Sequence, residues 1–141
     1  MYYQKMLPVV LLAAIGSLAH AQTKPAIKTV TAPYTSPVSG VDMFRAYCAA
    51  CHGADGTGNG PAAAALKKEP TNLTQLSAKN GGKFPALRVV TFIQGDSNMP
   101  AAHGSRDMPM WGKVFHSMGS GDAEKFRLRN LTDYIESLQK K

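Results

Sequence analysis

The run Cys48-Ala49-Ala50-Cys51-His52 constrains this chain more than any other feature. Thiols three residues apart fall on one face of a helix, and an imidazole follows the second directly. These are the chain's two cysteines. Four chemistries use such a run: a redox dithiol, half of a zinc site, a structural disulfide, and covalent attachment of haem, in which the thiols add to two vinyl groups and the histidine ligates the iron. A thioredoxin-like pair follows a strand in a βαβ unit, whereas this run closes a helical pattern in a chain without strand signals. Structural zinc takes four Cys or His ligands, and His103 and His116 lie downstream at no recognised zinc spacing. A disulfide is the ordinary reading of an exported pair, but the adjoining histidine favours haem. The run therefore predicts one covalently attached haem c on Cys48 and Cys51, with His52 as an axial iron ligand.

Residues 1–21 read as an export signal: Lys5, an apolar run from Leu7 to Leu18, then Ala19-His20-Ala21 at a cleavage site. The apolar run is shorter than the ~20 residues that span a bilayer, so an integral membrane protein is not expected. An exported location is expected, the periplasm of a bacterium or another exported compartment. Cleavage leaves about 120 residues, enough for one domain. Residues 22–38 carry Pro25, Pro33 and Pro37 among Thr, Ser, Ala and Lys, and read as a flexible arm before a domain at 39–141. The net charge is +7, and only Lys5 of the charged residues lies in the signal. A basic surface favours transient docking to acidic partner proteins. Basic and aromatic residues do not interleave as nucleic-acid binding requires.

The domain pattern is all-α. Ser39 is placed to cap a helix carrying Val41, Phe44, Tyr47 and Cys48 on one face and ending at Gly53. Pro85 to Gln94 reads as a short helix closed by Gly95, with Leu87, Val90 and Ile93 inward. Phe126, Leu131, Tyr134, Ile135 and Leu138 form the apolar stripe of a terminal helix, followed by Lys140 and Lys141 at its negative end. Gly and Pro make 53–61 and 95–112 loops, with a weak helix over 62–67. So much loop leaves a small core, and a large flat apolar cofactor supplies the missing part.

A second axial ligand has to come from downstream. Methionine opposite histidine raises the reduction potential, and Met99, Met108, Met110 and Met118 are available, although most methionines are core filler. Met108 is the choice, because Pro109 stiffens the backbone after it and Trp111-Gly112 supplies a wall and a turn. Met110 and His103 are the alternatives, the latter giving a bis-histidine iron.

With these residues assembled, the chain resembles the class I cytochrome c family, through Gly40 to Phe44, Cys48-Ala-Ala-Cys-His52, Gly58-Asn-Gly-Pro61, Met108-Pro-Met-Trp-Gly112 and the terminal Leu131, Tyr134, Ile135, Leu138 helix. The resemblance spans about 39–139. It implies an all-α fold of three to five helices around the haem, with the first and last helices crossing near Gly40, Phe44 and Tyr134. It further implies that the Pro61 carbonyl accepts the proton of His52 Nδ1 and that Trp111 lies against the haem. Arg106 is a candidate partner for a haem propionate.

If protein fills both axial positions, the chemistry is one-electron transfer through the haem edge, by a carrier that is not itself an enzyme and is expected to be a monomer. Two other readings remain open at this point: a haem enzyme or ligand sensor with a displaceable sixth ligand, and a cytochrome subunit of a larger dehydrogenase or oxidase.

Overall fold

The computed structural model describes residues 31–95 and 108–140, all of one compact unit. The expected signal at 1–21, the first part of the arm, and Met99, His103 and Arg106 lie outside the described residues. Among the described residues there are helices and turns and no strand.

The first helix is one continuous element with a change of winding inside it. It opens as α1, Gly40–Met43, with the Ser39 hydroxyl oxygen accepting from the Asp42 amide at 3.3 Å, a cap that occupies one of the helix's free amides. Asp42 lies in the first turn, where its charge suits the positive end of the dipole. Phe44–Cys48 is a π-helical turn, closed by the Ala49 amide on the Phe44 carbonyl. Regular winding resumes in α2, Ala49–His52, and stops at Gly53, whose φ of 78° suits glycine.

Three single 3-10 turns follow, Ala63–Ala65, Leu73–Gln75 and Ala78–Asn80. The helix expected over 62–67 is no more than the first of these. The helix α3, Ala86–Gln94, ends at left-handed Gly95. A helix not expected from the sequence, α4, runs Trp111–Ser117 and begins inside the stretch read as loop over 95–112. It is short, and its Gly112 is small enough to pack on the end of α3, where a Cβ would meet the Gln94 carbonyl oxygen at 2.6 Å.

The longest helix, α5 (Gly121–Ser137), packs against α1, α3 and α4. Met43, Phe44, Phe115 and Leu131 are fully buried where these elements meet. The crossing of first and last helices expected from the resemblance is present: the Phe44 and Tyr134 rings sit 5.2 Å apart, and Gly40 lies against Asn130 and Tyr134. Two inward assignments are corrected. Leu87 is 81 % exposed and Phe126 is 55 % exposed. On α3 the buried stripe runs through Val89, Val90 and Ile93 instead, and on α5 through Leu128, Leu131 and Ile135.

The arm is also corrected over its described part. Residues 33–37 are held to the domain by side chains. The Tyr47 hydroxyl donates to the Pro33 carbonyl at 2.6 Å, Arg127 donates to the Thr35 carbonyl at 2.7 Å, and Asn130 donates to the Pro37 carbonyl at 2.9 Å. Proline-rich composition marks a segment that makes no helix. It does not stop its carbonyls from accepting hydrogen bonds from a neighbouring surface.

Candidate haem site

The first helix carries its chemistry on its last two turns, and the loop after it closes back to hold that end in place. Helix C-termini leave carbonyls without partners. Here the amides of Ala62, Gly60 and Gly58 donate to the carbonyls of Ala50, Cys51 and His52, at 2.8, 3.0 and 2.7 Å. This is what Gly58-Asn-Gly-Pro61 does. A Cβ at Gly60 would overlap the Ala50 carbonyl oxygen, and Gly58 has φ of 98°. Backbone can come that close only where there is no side chain.

Above the helix end lies a mostly apolar cavity of about 370 Å³, with Cys48, Cys51, His52 and Tyr47 in its wall. Leu73, Leu76, Phe92, Ile93 and Ile135 contribute apolar surface from the 3-10 segments, α3 and α5. Met108, Pro109 and Trp111 line the same cavity. The Trp111 ring lies 5.0 Å from Tyr47 and 5.9 Å from Phe115, so the aromatic wall is itself backed by an aromatic layer. Lys68, Lys79 and Arg88 also contribute to the lining, against one acid, Glu69.

His52 Nδ1 donates to the carbonyl oxygen of Thr71 at 3.0 Å. The expected acceptor, Pro61, is therefore corrected. Pro61 is exposed in the loop that caps the helix, whereas 70–72 passes along the cavity wall and presents its carbonyl to the ring. A carbonyl only accepts, so Nδ1 carries the proton and Nε2 keeps a lone pair for a metal. Burial pushes His52 below its ordinary 6.5, outweighing the opposite pull of the Thr71 bond, so the ring is neutral at pH 7. Thr71 is itself fixed by its surroundings: Asn72 caps the next turn by accepting from the Thr74 amide and hydroxyl, and Gln139 donates to the Leu73 carbonyl. The sequence reading missed Thr71 because a backbone carbonyl leaves no mark on residue type.

Cys48 and Cys51 are free thiols, not a disulfide. Burial first, and the neighbouring Cys51 second, push the Cys48 thiol up to about 12, so it is an uncharged group in an apolar wall. The two downstream methionines part ways. Met108 is half-buried in the cavity lining, while Met110 is 53 % exposed and lies across Gly95, where a Cβ would meet its own Cβ at 2.6 Å. Met118 is half-buried against the core, with its sulfur 3.6 Å from the Tyr47 hydroxyl oxygen.

A Cys-x-x-Cys-His helix end and a methionine sharing one apolar cavity, inside an all-helical domain, define a haem-binding domain of the c type. The chain belongs to the cytochrome c family, whose model, cytochrome c, matches residues 37–139. No curated protein and no solved structure matches the chain. As a member of this family the protein binds covalently attached haem c with its iron, and its class of function is haem-based electron transfer. The cavity fits such a group: two free thiols at helical spacing, a neutral imidazole with one nitrogen unengaged, a thioether, and otherwise apolar and aromatic walls. Among the described residues no helix is long and apolar enough to cross a membrane.

Proposed function

We propose that this protein is an exported one-electron carrier in which Cys48 and Cys51 would anchor the haem, and His52 Nε2 and Met108 Sδ would hold its iron. The observation that carries the reading is the shared cavity of His52 and Met108, with His52 Nδ1 held by the Thr71 carbonyl. Bound there, haem supplies a ferric/ferrous couple that takes up and releases one electron.

The chain's own residues do the rest. The Thr71 bond fixes the tautomer and the plane of the imidazole and raises its basicity. The soft, neutral thioether of Met108 favours the reduced iron and raises the potential. Leu73, Leu76, Phe92 and Ile93 exclude water, which keeps the environment of the iron similar in both charge states. Lys68, Lys79 and Arg88 give the cavity a basic border that attracts acidic redox partners and loses that attraction as salt rises. Docking is transient, the carrier is a monomer, and the 1–21 signal delivers it to the periplasm.

The test is the visible and near-infrared absorption of the haem-loaded protein, oxidised and then reduced. A low-spin spectrum with a sulfur-to-iron charge-transfer band that vanishes on reduction supports His/Met ligation and electron transfer. A high-spin ferric spectrum without that band shows an open iron, and the enzyme or sensor reading takes its place.

A further inference from the structure

Arg127 is the largest fully buried side chain among the described residues, at 0 % exposure. No carboxylate pairs with it among those residues. A guanidinium is always charged, and a buried charge is held only where hydrogen bonds replace its water. Nη1 donates to Thr35 Oγ1 at 3.1 Å and Nη2 to the Thr35 carbonyl at 2.7 Å, while Nε has no partner among the described residues. The group also lies 5.0 Å from the Tyr34 ring centre and 5.9 Å from that of Phe115.

These bonds have a direction. Arg127 can only donate, so Thr35 Oγ1 accepts, and its own proton is free for the Tyr47 hydroxyl oxygen 2.8 Å away. The Tyr47 proton goes on to the Pro33 carbonyl at 2.6 Å. Every dipole in this chain is aligned by the cation at its head, and in a low-dielectric interior such bonds reinforce one another. Tyr47 is at the same time part of the cavity wall, and Phe115 backs both Tyr47 and Trp111. Arg127 is not in the cavity lining, so it acts from one aromatic layer behind it.

We propose that Arg127 is a positioning residue for electron transfer: through Thr35, Tyr47 and the Phe115 layer it sets a permanent positive field on the haem cavity and raises the midpoint potential. The inference rests on the haem-carrier reading. A positive charge favours the iron state with less positive charge, the ferrous one, so losing Arg127 favours the ferric state. The segment 33–37 then has a purpose beyond covering the domain, since Thr35 transmits the field and its carbonyl holds the guanidinium away from water.

The experiment is spectroelectrochemical titration of the haem-loaded protein and its variants. In Arg127→Met the ferric/ferrous equilibrium moves three- to tenfold toward ferric, tenfold being about 59 mV for one electron. In Arg127→Lys, which keeps the charge and loses the two-pronged grip on Thr35, the melting temperature falls but the potential stays within about twofold of wild type. Tyr47→Phe and Thr35→Val move the potential in the same direction as Arg127→Met, by less. An unchanged potential in Arg127→Met, or Arg127→Lys falling as far as Arg127→Met, overturns the proposal. If Arg127→Met yields no haem-loaded protein, unchanged potentials in both Tyr47→Phe and Thr35→Val overturn it, and lowered ones support it. Wild-type protein without covalent haem would defeat the carrier reading itself, a result distinct from a haem whose potential ignores these changes.

Discussion

The Asn130 carbonyl lies against the bare Cα of Gly40, so close that a Cβ at residue 40 would overlap the oxygen and stand 2.9 Å from the Tyr134 Cβ. Both partners of the contact are parts of helices, so neither can move without shifting a whole element. Gly40→Ala is expected to cost about 1–3 kcal/mol, as other overpacked sites do. In a domain of this size each kcal/mol lowers the melting temperature by roughly 4–8 °C. Thermal unfolding of the haem-loaded protein reads this directly, and a melting temperature equal to wild type would show that the crossing has room.

Met108 and Met110 are two residues apart and differ in what they face. Met108→Ala is expected to remove the near-infrared sulfur-to-iron band and lower the potential. Met110→Ala, altering an exposed side chain over Gly95, keeps both. The absorption spectra of the two oxidised variants decide the assignment, and the reverse pattern would give the sixth position to Met110.

Asp55 sits just past the haem helix, where the Thr57 amide donates to its carboxylate at 3.1 Å and the Thr57 hydroxyl at 2.8 Å. Those bonds, the amide first, hold its pKa below the ordinary 3.8. A carboxyl with a lowered folded pKa stabilises the protein above its unfolded value, and that contribution is lost as pH falls through the folded one. Denaturant midpoints of wild type and Asp55→Ala should therefore differ at pH 7 and converge in acid, below 3.8. A gap that persists unchanged in acid would mean that the carboxylate charge is irrelevant.

Leu131 and Leu87 test the corrected core. Leu131 is fully buried between the crossing helices, so Leu131→Ala is expected to cost about 2–5 kcal/mol. Leu87→Ala, at an 81 % exposed site, should stay within about 0.5 kcal/mol of wild type. Chemical denaturation of the two variants side by side provides the check.

Features written in side chains were legible from the sequence, and features written in backbone were not. The Cys-x-x-Cys-His run, the Gly40/Phe44/Tyr134 crossing and the Ser39 cap depend on residue types at fixed spacing, and each appears in the structure. The His52 acceptor is a carbonyl, which every residue possesses, so the resemblance pointed to the prolyl carbonyl of the capping loop while the ring meets Thr71. Leu87 and Phe126 fit the helical period of their stripes but sit at its margin, where a shift of one position separates core from solvent. The segment 33–37 looked unanchored because its anchors are Tyr47, Arg127 and Asn130, the last two more than 90 residues away in sequence. Their hydrogen bonds are long-range and follow no local pattern.

The π-helical turn at Phe44–Cys48 acts as a phase adjuster between two jobs carried by one helix. Upstream of it Gly40 and Met43 address the last helix, and downstream Cys51 and His52 address the cavity. An α-helix advances roughly 100° per residue, so a single residue gained or lost in between turns one set of side chains away from its target. Such turns recur at functional sites for this reason. Ala46 is exposed within the turn, so no packing contact fixes its residue type, and what it supplies is the extra length of an i→i+5 turn. Spacing, as much as residue identity, is what insertions and deletions in this stretch must respect.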